Sequence, residues 1–407
     1  MANNPSLPLE VIEMIVDTVA TEDDSRFSSI KACALVCHSI LPLCRKHIFA
    51  SVTLNPREPP FHTIDRLNYL LSKSPHIAVY IRKLVYHVKS TERCLSLMSK
   101  KLVKLQTLSI CYTVTRPGGH LDWMSPHTRK VLLPLLHLPT LTSISLYGIR
   151  DFPLADLAGC VNLKKLQIGF LECSTDVGGF LEVLPTTPVM LEQLMIDKRS
   201  VSPVQQLCHA RRPNGKPIID FSSLKKIVAE VGQLDSMKEL FGLCRNLREV
   251  DLCVRHISSR ADPSSLEGLF VMLRPSLPTL RDIRVEHHIN NDQDDPFSGL
   301  CHELKKMVGQ NTVETIKLGI LWGDLHRDYK RGLDKWSDKW SELDDVLMRS
   351  PADWPALKEV SLSIDVVRYY KPQINDLEEP LKRLLATQFT KLVESKQVNF
   401  KFAVEYY

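Results

Sequence analysis

The sequence has no apolar run long enough to cross a bilayer. Its most apolar stretch, Val131 to Leu138, contains Pro134 and falls far short of the roughly 20 residues a spanning helix needs. Between Met1 and Pro8 there is no basic start and no apolar run, so no secretory leader is expected. There is no C-x-x-C pair, and the eleven cysteines are scattered and odd in number. That excludes the even, clustered spacing of a disulfide framework and predicts free thiols in a reducing compartment. The chain is expected to be soluble, in cytoplasm, nucleus or both.

A concentrated basic stripe is also missing. The net charge is +5, and Lys164-Lys165, Lys225-Lys226 and Lys305-Lys306 are isolated pairs, so no nucleic-acid partner is expected. No G-x-S-x-G, H-E-x-x-H or phosphate-binding glycine loop occurs. No cysteine stands where a ubiquitin-ligase nucleophile would, and no RING-like spacing is present. Cys33, Cys37 and Cys44 fall in helical segments and read as packing residues, because metal ligation wants paired ligands with short loops between them. His287-His288 with Asp292, Asp294 and Asp295 reads as a solvated loop. No catalytic residue, cofactor or metal is expected.

What is present is the composition of a folded protein: 407 residues, 44% hydrophobic and 24% charged. Single cores stop growing near roughly 250–300 residues. The chain therefore has several domains, or is a solenoid growing along one axis.

Residues 1–55 read as three short helices and a strand. Ser6 and Pro8 suit a helix start, and Ile12, Ile15, Val16 and Val19 share one apolar face, widened by Val11 and Met14. A second helix is expected from Ser28 to Ile40, a third from Leu43 to Phe49 with Arg45, Lys46 and His47 outward, then a strand from Ser51 to Leu54. So small a unit has more apolar surface than its own core can use. The strings Leu7-Pro8-Leu9-Glu10-Val11-Ile12, Ala34-Leu35-Val36-Cys37-His38 and Leu41-Pro42-Leu43-Cys44-Arg45-Lys46-His47-Ile48-Phe49 resemble an F-box of the type abundant in fungi. That family often has Trp soon after the Val-Cys pair, where this sequence has Ile40. The resemblance implies docking on the Skp-family adaptor of SCF (Skp–cullin–F-box) ubiquitin ligases. The residues it implies are Leu7, Pro8, Ile12, Ile15, Leu35, Val36 and Cys37. The alternative is a helical cap packed on the rest of the chain.

Residues 56–75 read as a linker, Pro-rich at Pro56 to Pro60, with a helix from Phe61 to Leu71. From residue 76 to 407 a pattern recurs: an apolar residue, two variable, an apolar residue, one variable, an apolar residue. It occurs at Ile81, Leu84 and Tyr86; Leu105, Leu108 and Ile110; Leu141, Ile144 and Leu146; Leu163, Leu166 and Ile168; and Leu191, Leu194 and Ile196. It continues at Leu224, Ile227 and Ala229; Leu247, Val250 and Leu252; Leu280, Ile283 and Val285; Val313, Ile316 and Leu318; and Leu357, Val360 and Leu362. Helix-like segments fall between, at Val131 to Leu138, Gln233 to Cys244, Leu266 to Leu273 and Leu300 to Val308. The fold class expected is α/β: a three-helix segment, then an irregular solenoid of short parallel strands alternating with helices. This is similar to the irregular leucine-rich-repeat domains that follow F-boxes. The family's Asn ladder is missing, since Thr113, Ile149, Leu171 and Arg199 stand at its positions.

Trp336 and Trp340 lie in the longest insertion, four residues apart and so on one helix face. They are expected either to bind a target protein or to staple the insertion to the repeats. The functional expectation is a non-catalytic substrate-recognition adaptor of a cullin-RING ligase. The alternatives are an F-box scaffold acting outside the ligase and a pure repeat scaffold.

Overall fold

The structure, a computed structural model, describes residues 7–22, 28–55, 63–88, 101–112, 119–174, 186–197, 199–232, 234–255, 266–289, 299–322, 337–366, 383 and 385–406. It divides into two compact units, Met1–Val189 and Met190–Tyr407. The expected boundaries at 55 and 75 do not coincide with that division.

The first unit opens with α1 (Leu9–Glu22), α2 (Ser28–Cys33) and α3 (Leu41–Ile48). The amides of Val11 and Ile12 bond to the Pro8 carbonyl, so the helix begins just after the proline. Ser6, the expected cap, lies outside the described residues. The second helix stops seven residues short of its expected end. Leu35 and Val36 donate to carbonyls three residues back, those of Ala32 and Cys33, which tightens the chain into a turn. Pro42 stands in the first turn of α3, the one place a helix tolerates it, so a new helix has to begin there. Leu35, Val36 and Cys37 therefore sit on a turn and not on a helix. The small core is Val16, Ile30 and Cys44, with Ile12, Val19, Ala34 and Leu43 among those packed around it.

Among the described residues, five parallel rungs of the main sheet follow in this unit: β1 (Ser51–Leu54), β2 (Lys83–Val88), β3 (Thr107–Tyr112), β4 (Ser143–Tyr147) and β5 (Lys165–Gly169). The strand expected at 51–54 is thus the first rung of the sheet, Ser51 pairing in register with Lys83. Between rungs lie α4 (Thr63–Lys73), a 3₁₀ turn at Pro75–Tyr80, α5 (Pro126–Leu136) and a 3₁₀ turn at Leu154–Gly159.

Among the described residues, the second unit has seven parallel rungs of the main sheet: β6 (Gln193–Ile196), β7 (Lys226–Val231), β8 (Glu249–Arg255), β9 (Asp282–Ile289), β10 (Thr315–Trp322), β11 (Glu359–Val366) and β12 (Asn399–Tyr406). Between them run α6 (Val201–His209), α7 (Lys238–Leu243), α8 (Leu269–Leu273), α9 (Leu300–Met307), α10 (Ser337–Met348) and α11 (Thr390–Glu394). Each unit is a leucine-rich-repeat-like stack, in which a rung buries its apolar face only against its neighbours.

Every side chain of the ten expected apolar triplets is buried, none more than 6% exposed. The register is equally regular. The carbonyl just before a strand accepts two consecutive amides of the next rung: Gln106 from Thr142 and Ser143, Arg248 from Arg281 and Asp282, Glu314 from Lys358 and Glu359. A second recurrence replaces the missing Asn ladder. The residue immediately before the first apolar position is often a hydroxyl or amide that clasps the previous rung. Thr140 donates to the Leu105 carbonyl at 2.7 Å, Thr279 to Leu247 at 2.9 Å and Thr312 to Leu280 at 3.0 Å. Ser223 donates to Leu191 at 3.0 Å, Asn162 to Pro139 at 2.7 Å and Asn246 to Ser222 at 2.7 Å. These bonds give the carbonyls at the bends a partner and tie each such rung to the one before it.

Candidate functional site

Two surfaces stand out. The first is on the three-helix segment. The helices are locked by charge: Lys46 reaches Glu13 at 3.2 Å and Asp17 at 3.4 Å, and His47 reaches Asp17 at 2.7 Å. The basic residues expected to face outward thus clamp α3 to α1. The His47 bond holds the Asp17 carboxyl below its ordinary range. Arg45 pairs with His76 at 3.0 Å, tying α3 to the 3₁₀ turn before β2.

This clamp leaves much apolar surface outside. Leu7 is 60% exposed, Leu9 55%, Met14 68%, Ile15 50%, Leu35 88% and Val36 72%. Six of the sixteen large apolar side chains exposed among the described residues therefore fall before residue 37, where a self-contained cap would hide them. Pro8 and Cys37 are exposed too. Ile12 differs: it is partly buried and packs on the Val16, Ile30 and Cys44 core. Leu9 and Met14, not among the expected docking residues, belong to the exposed set.

The cysteines expected on the second and third helices part ways. Cys44 is buried, and burial pushes its thiol up. Cys37 is the exposed cysteine among those described. Its bond to Ser39 at 3.0 Å lowers its pKa, so packing does not describe it.

The second surface is the open face of the second unit's strands. Alternation along β8 buries Val250, Leu252 and Val254 and leaves Asp251, Cys253 and Arg255 half-exposed. Arg255 pairs with Glu230 at 3.1 Å, and Arg284 with Glu286 at 3.3 Å. The result is a laterally paired face of mixed charge. On the helix side a groove of about 720 Å³ is lined by Lys305, Asp345, Arg349, Asp353 and Lys391, among others.

Of the two tryptophans, Trp336 lies outside the described residues, and Trp340 takes the stapling role. Trp340 is 1% exposed and packs edge-on against Phe389 with ring centroids 5.8 Å apart. It staples α10 to the repeats and cannot present its ring to a target. His287 and His288 also part company. His287 is buried on the core side and His288 lies on the open face, because neighbours on a strand point opposite ways. Asp292, Asp294 and Asp295 lie outside the described residues.

No helix among the described residues is long and apolar enough to cross a membrane. No family model matches the chain, and no curated protein matches it. Among solved structures, the chain is similar to one from the crystal structure of a TLR13–ssRNA13 complex, at 12% identity and a TM-score of 0.30. The match covers 88% of this chain and 52% of the other, so this chain spans about half the length of the one it matches. A likeness of that size carries no argument about function.

Proposed function

We propose that the chain is a substrate-recognition adaptor of an SCF-type cullin-RING ubiquitin ligase. The three-helix segment docks on a Skp-family adaptor, and through it on a cullin, while the repeats hold a target protein. The observation that carries this reading is the exposed apolar set at Leu7, Leu9, Met14, Ile15, Leu35 and Val36. Such surface on a clamped, ordered segment is what a partner covers. The F-box resemblance of the same residues names the partner. The target is assigned to the open strand face, since Trp340 is withdrawn into the core.

The mechanism is proximity. A target lysine held near a charged ubiquitin carrier meets it at high effective concentration, with no catalytic residue supplied by this chain. The test is co-expression of the full chain with a Skp-family adaptor, followed by size-exclusion chromatography with and without the cullin's amino-terminal domain. A ternary complex that Leu7→Ala/Pro8→Ala abolishes is expected. Adaptor binding without cullin would favour a scaffold acting outside the ligase. A monodisperse chain that ignores the adaptor would refute the proposal.

A further inference from the structure

One group on the open face of the second unit holds chemistry that reading does not use. Cys253 on β8 and Glu286 on β9 are partners in register, and His288 follows two residues later on the same side of the pleat. Cys253 Sγ lies 3.7 Å from Glu286 Oε1, and His288 Nε2 lies 3.1 Å from that same oxygen. The three ligand atoms all fall within 4.8 Å of one another, and all three residues are half-buried. Around a tetrahedral zinc ion with bonds of about 2.0–2.3 Å, neighbouring ligand atoms stand roughly 3.3–3.5 Å apart. The two observed separations bracket that spacing.

The hydrogen bonding at His288 points the same way. Arg255 Nε donates to His288 Nε2 at 3.1 Å, which requires a lone pair on that nitrogen. Glu286 Oε1, which in its ionised form only accepts, stands 3.1 Å from the same nitrogen. One ring nitrogen serves only one of these two neighbours at a time. A cation seated between the nitrogen and the carboxylate would engage both groups and leave Arg255 to Glu230.

The surroundings support such a cation. Arg255 keeps Glu230 as a partner at 3.1 Å when Nε2 turns to an ion. Arg284 holds the other Glu286 oxygen, Oε2, at 3.3 Å, the kind of outer contact that orients a ligating carboxylate. On the next rung Gly319 pairs with Glu286. A Cβ there would stand 3.2 Å from Glu286 Cγ, so the glycine leaves the carboxylate in place.

We propose that Cys253, Glu286 and His288 form a divalent-cation site of the zinc class, with a fourth position open to water or to a side chain of a bound protein. Sulfur, nitrogen and oxygen donors together suit a borderline-soft ion rather than calcium or magnesium. The Cys253 thiol gives up its proton when a cation binds. Binding then forms one metal–sulfur bond and releases that proton to solvent.

The test titrates the full chain, stripped with chelator, with Co(II) and then Zn(II). One equivalent of Co(II) is expected, with a thiolate charge-transfer band in the near ultraviolet that Zn(II) bleaches. Cys253→Ser should remove the band. His288→Gln and Glu286→Gln should each weaken binding by roughly a hundred-fold or more, since loss of a ligand costs no less than loss of an outer-shell partner. Matched circular dichroism spectra keep the comparison to folded protein, and the Gln variants carry the test if Cys253→Ser does not fold. Absence of saturable binding overturns the proposal. So does a band that survives Cys253→Ser together with an affinity unmoved by the Gln variants.

Discussion

Replacing Leu35 and Val36 together by alanine separates docking from folding, because so little of either side chain is used by the fold. Leu35 is 88% exposed and Val36 72%. Truncation removes three carbons from one and two from the other, each worth about 0.8 kcal/mol when fully buried. Scaled by exposure, a partner that covers both stands to lose about 3 kcal/mol, a little over a hundred-fold in Kd. The same scaling leaves under about 1 kcal/mol to be lost from folding. The assay is isothermal titration of a purified Skp-family adaptor into wild-type and double-variant chain, with thermal unfolding in parallel. A Kd within about threefold of wild type refutes docking at this turn, since a covered pair must lose far more. A large drop in Tm with unchanged exchange protection elsewhere refutes it differently, by showing that the turn serves the internal core.

Asp156 is 1% exposed and accepts from Trp123 at 2.9 Å and from Arg129 at 3.1 and 2.7 Å. Asp156→Ala should destabilise the first unit by about 3 kcal/mol in denaturant titration, because Trp123 Nε1 loses its buried acceptor and Arg129 loses two charge-assisted hydrogen bonds. Thr312→Val keeps shape and loses the clasp on Leu280, and should cost about 1 kcal/mol in the second unit. Alkylation followed by peptide mass spectrometry should find Cys37 modified well before Cys160, Cys173 and Cys208, whose thiols burial pushes up to about 12; bound adaptor should protect Cys37. Asp17, held below its ordinary 3.8 by His47, adds stability that is present above that value and lost as pH falls through the lowered one. The acid side of the stability profile should flatten in Asp17→Asn.

The repeat was readable because its chemistry is local. Each strand needs two alternating apolar residues and a third at the bend, and all ten triplets obey. The last rung escaped notice because the register puts Gln397 where the bend residue should be apolar, with Phe400 and Phe402 opposite Val360 and Leu362. The clasps were visible too, as a Thr, Ser or Asn just before the first apolar residue, but their meaning depends on a carbonyl a whole rung away. The three helices were legible in order and not in extent. Pro42 marks a restart in the sequence itself, but periodicity does not show that the helix before it stops at Cys33, nor which of its two expected roles Trp340 takes. The Cys253, Glu286 and His288 group was hidden for a plainer reason: its members lie 33 and 35 positions apart in the chain and meet only through strand pairing.

The double-acceptor carbonyls and the clasps fix where each rung begins and say nothing about how the chain returns to begin the next. Excursions from one bend residue to the next can therefore grow, as between Val313 and Leu357, without shifting a ladder already in step with its neighbours. A longer excursion is taken up on the return side, while the strand side keeps its spacing like the teeth of a comb.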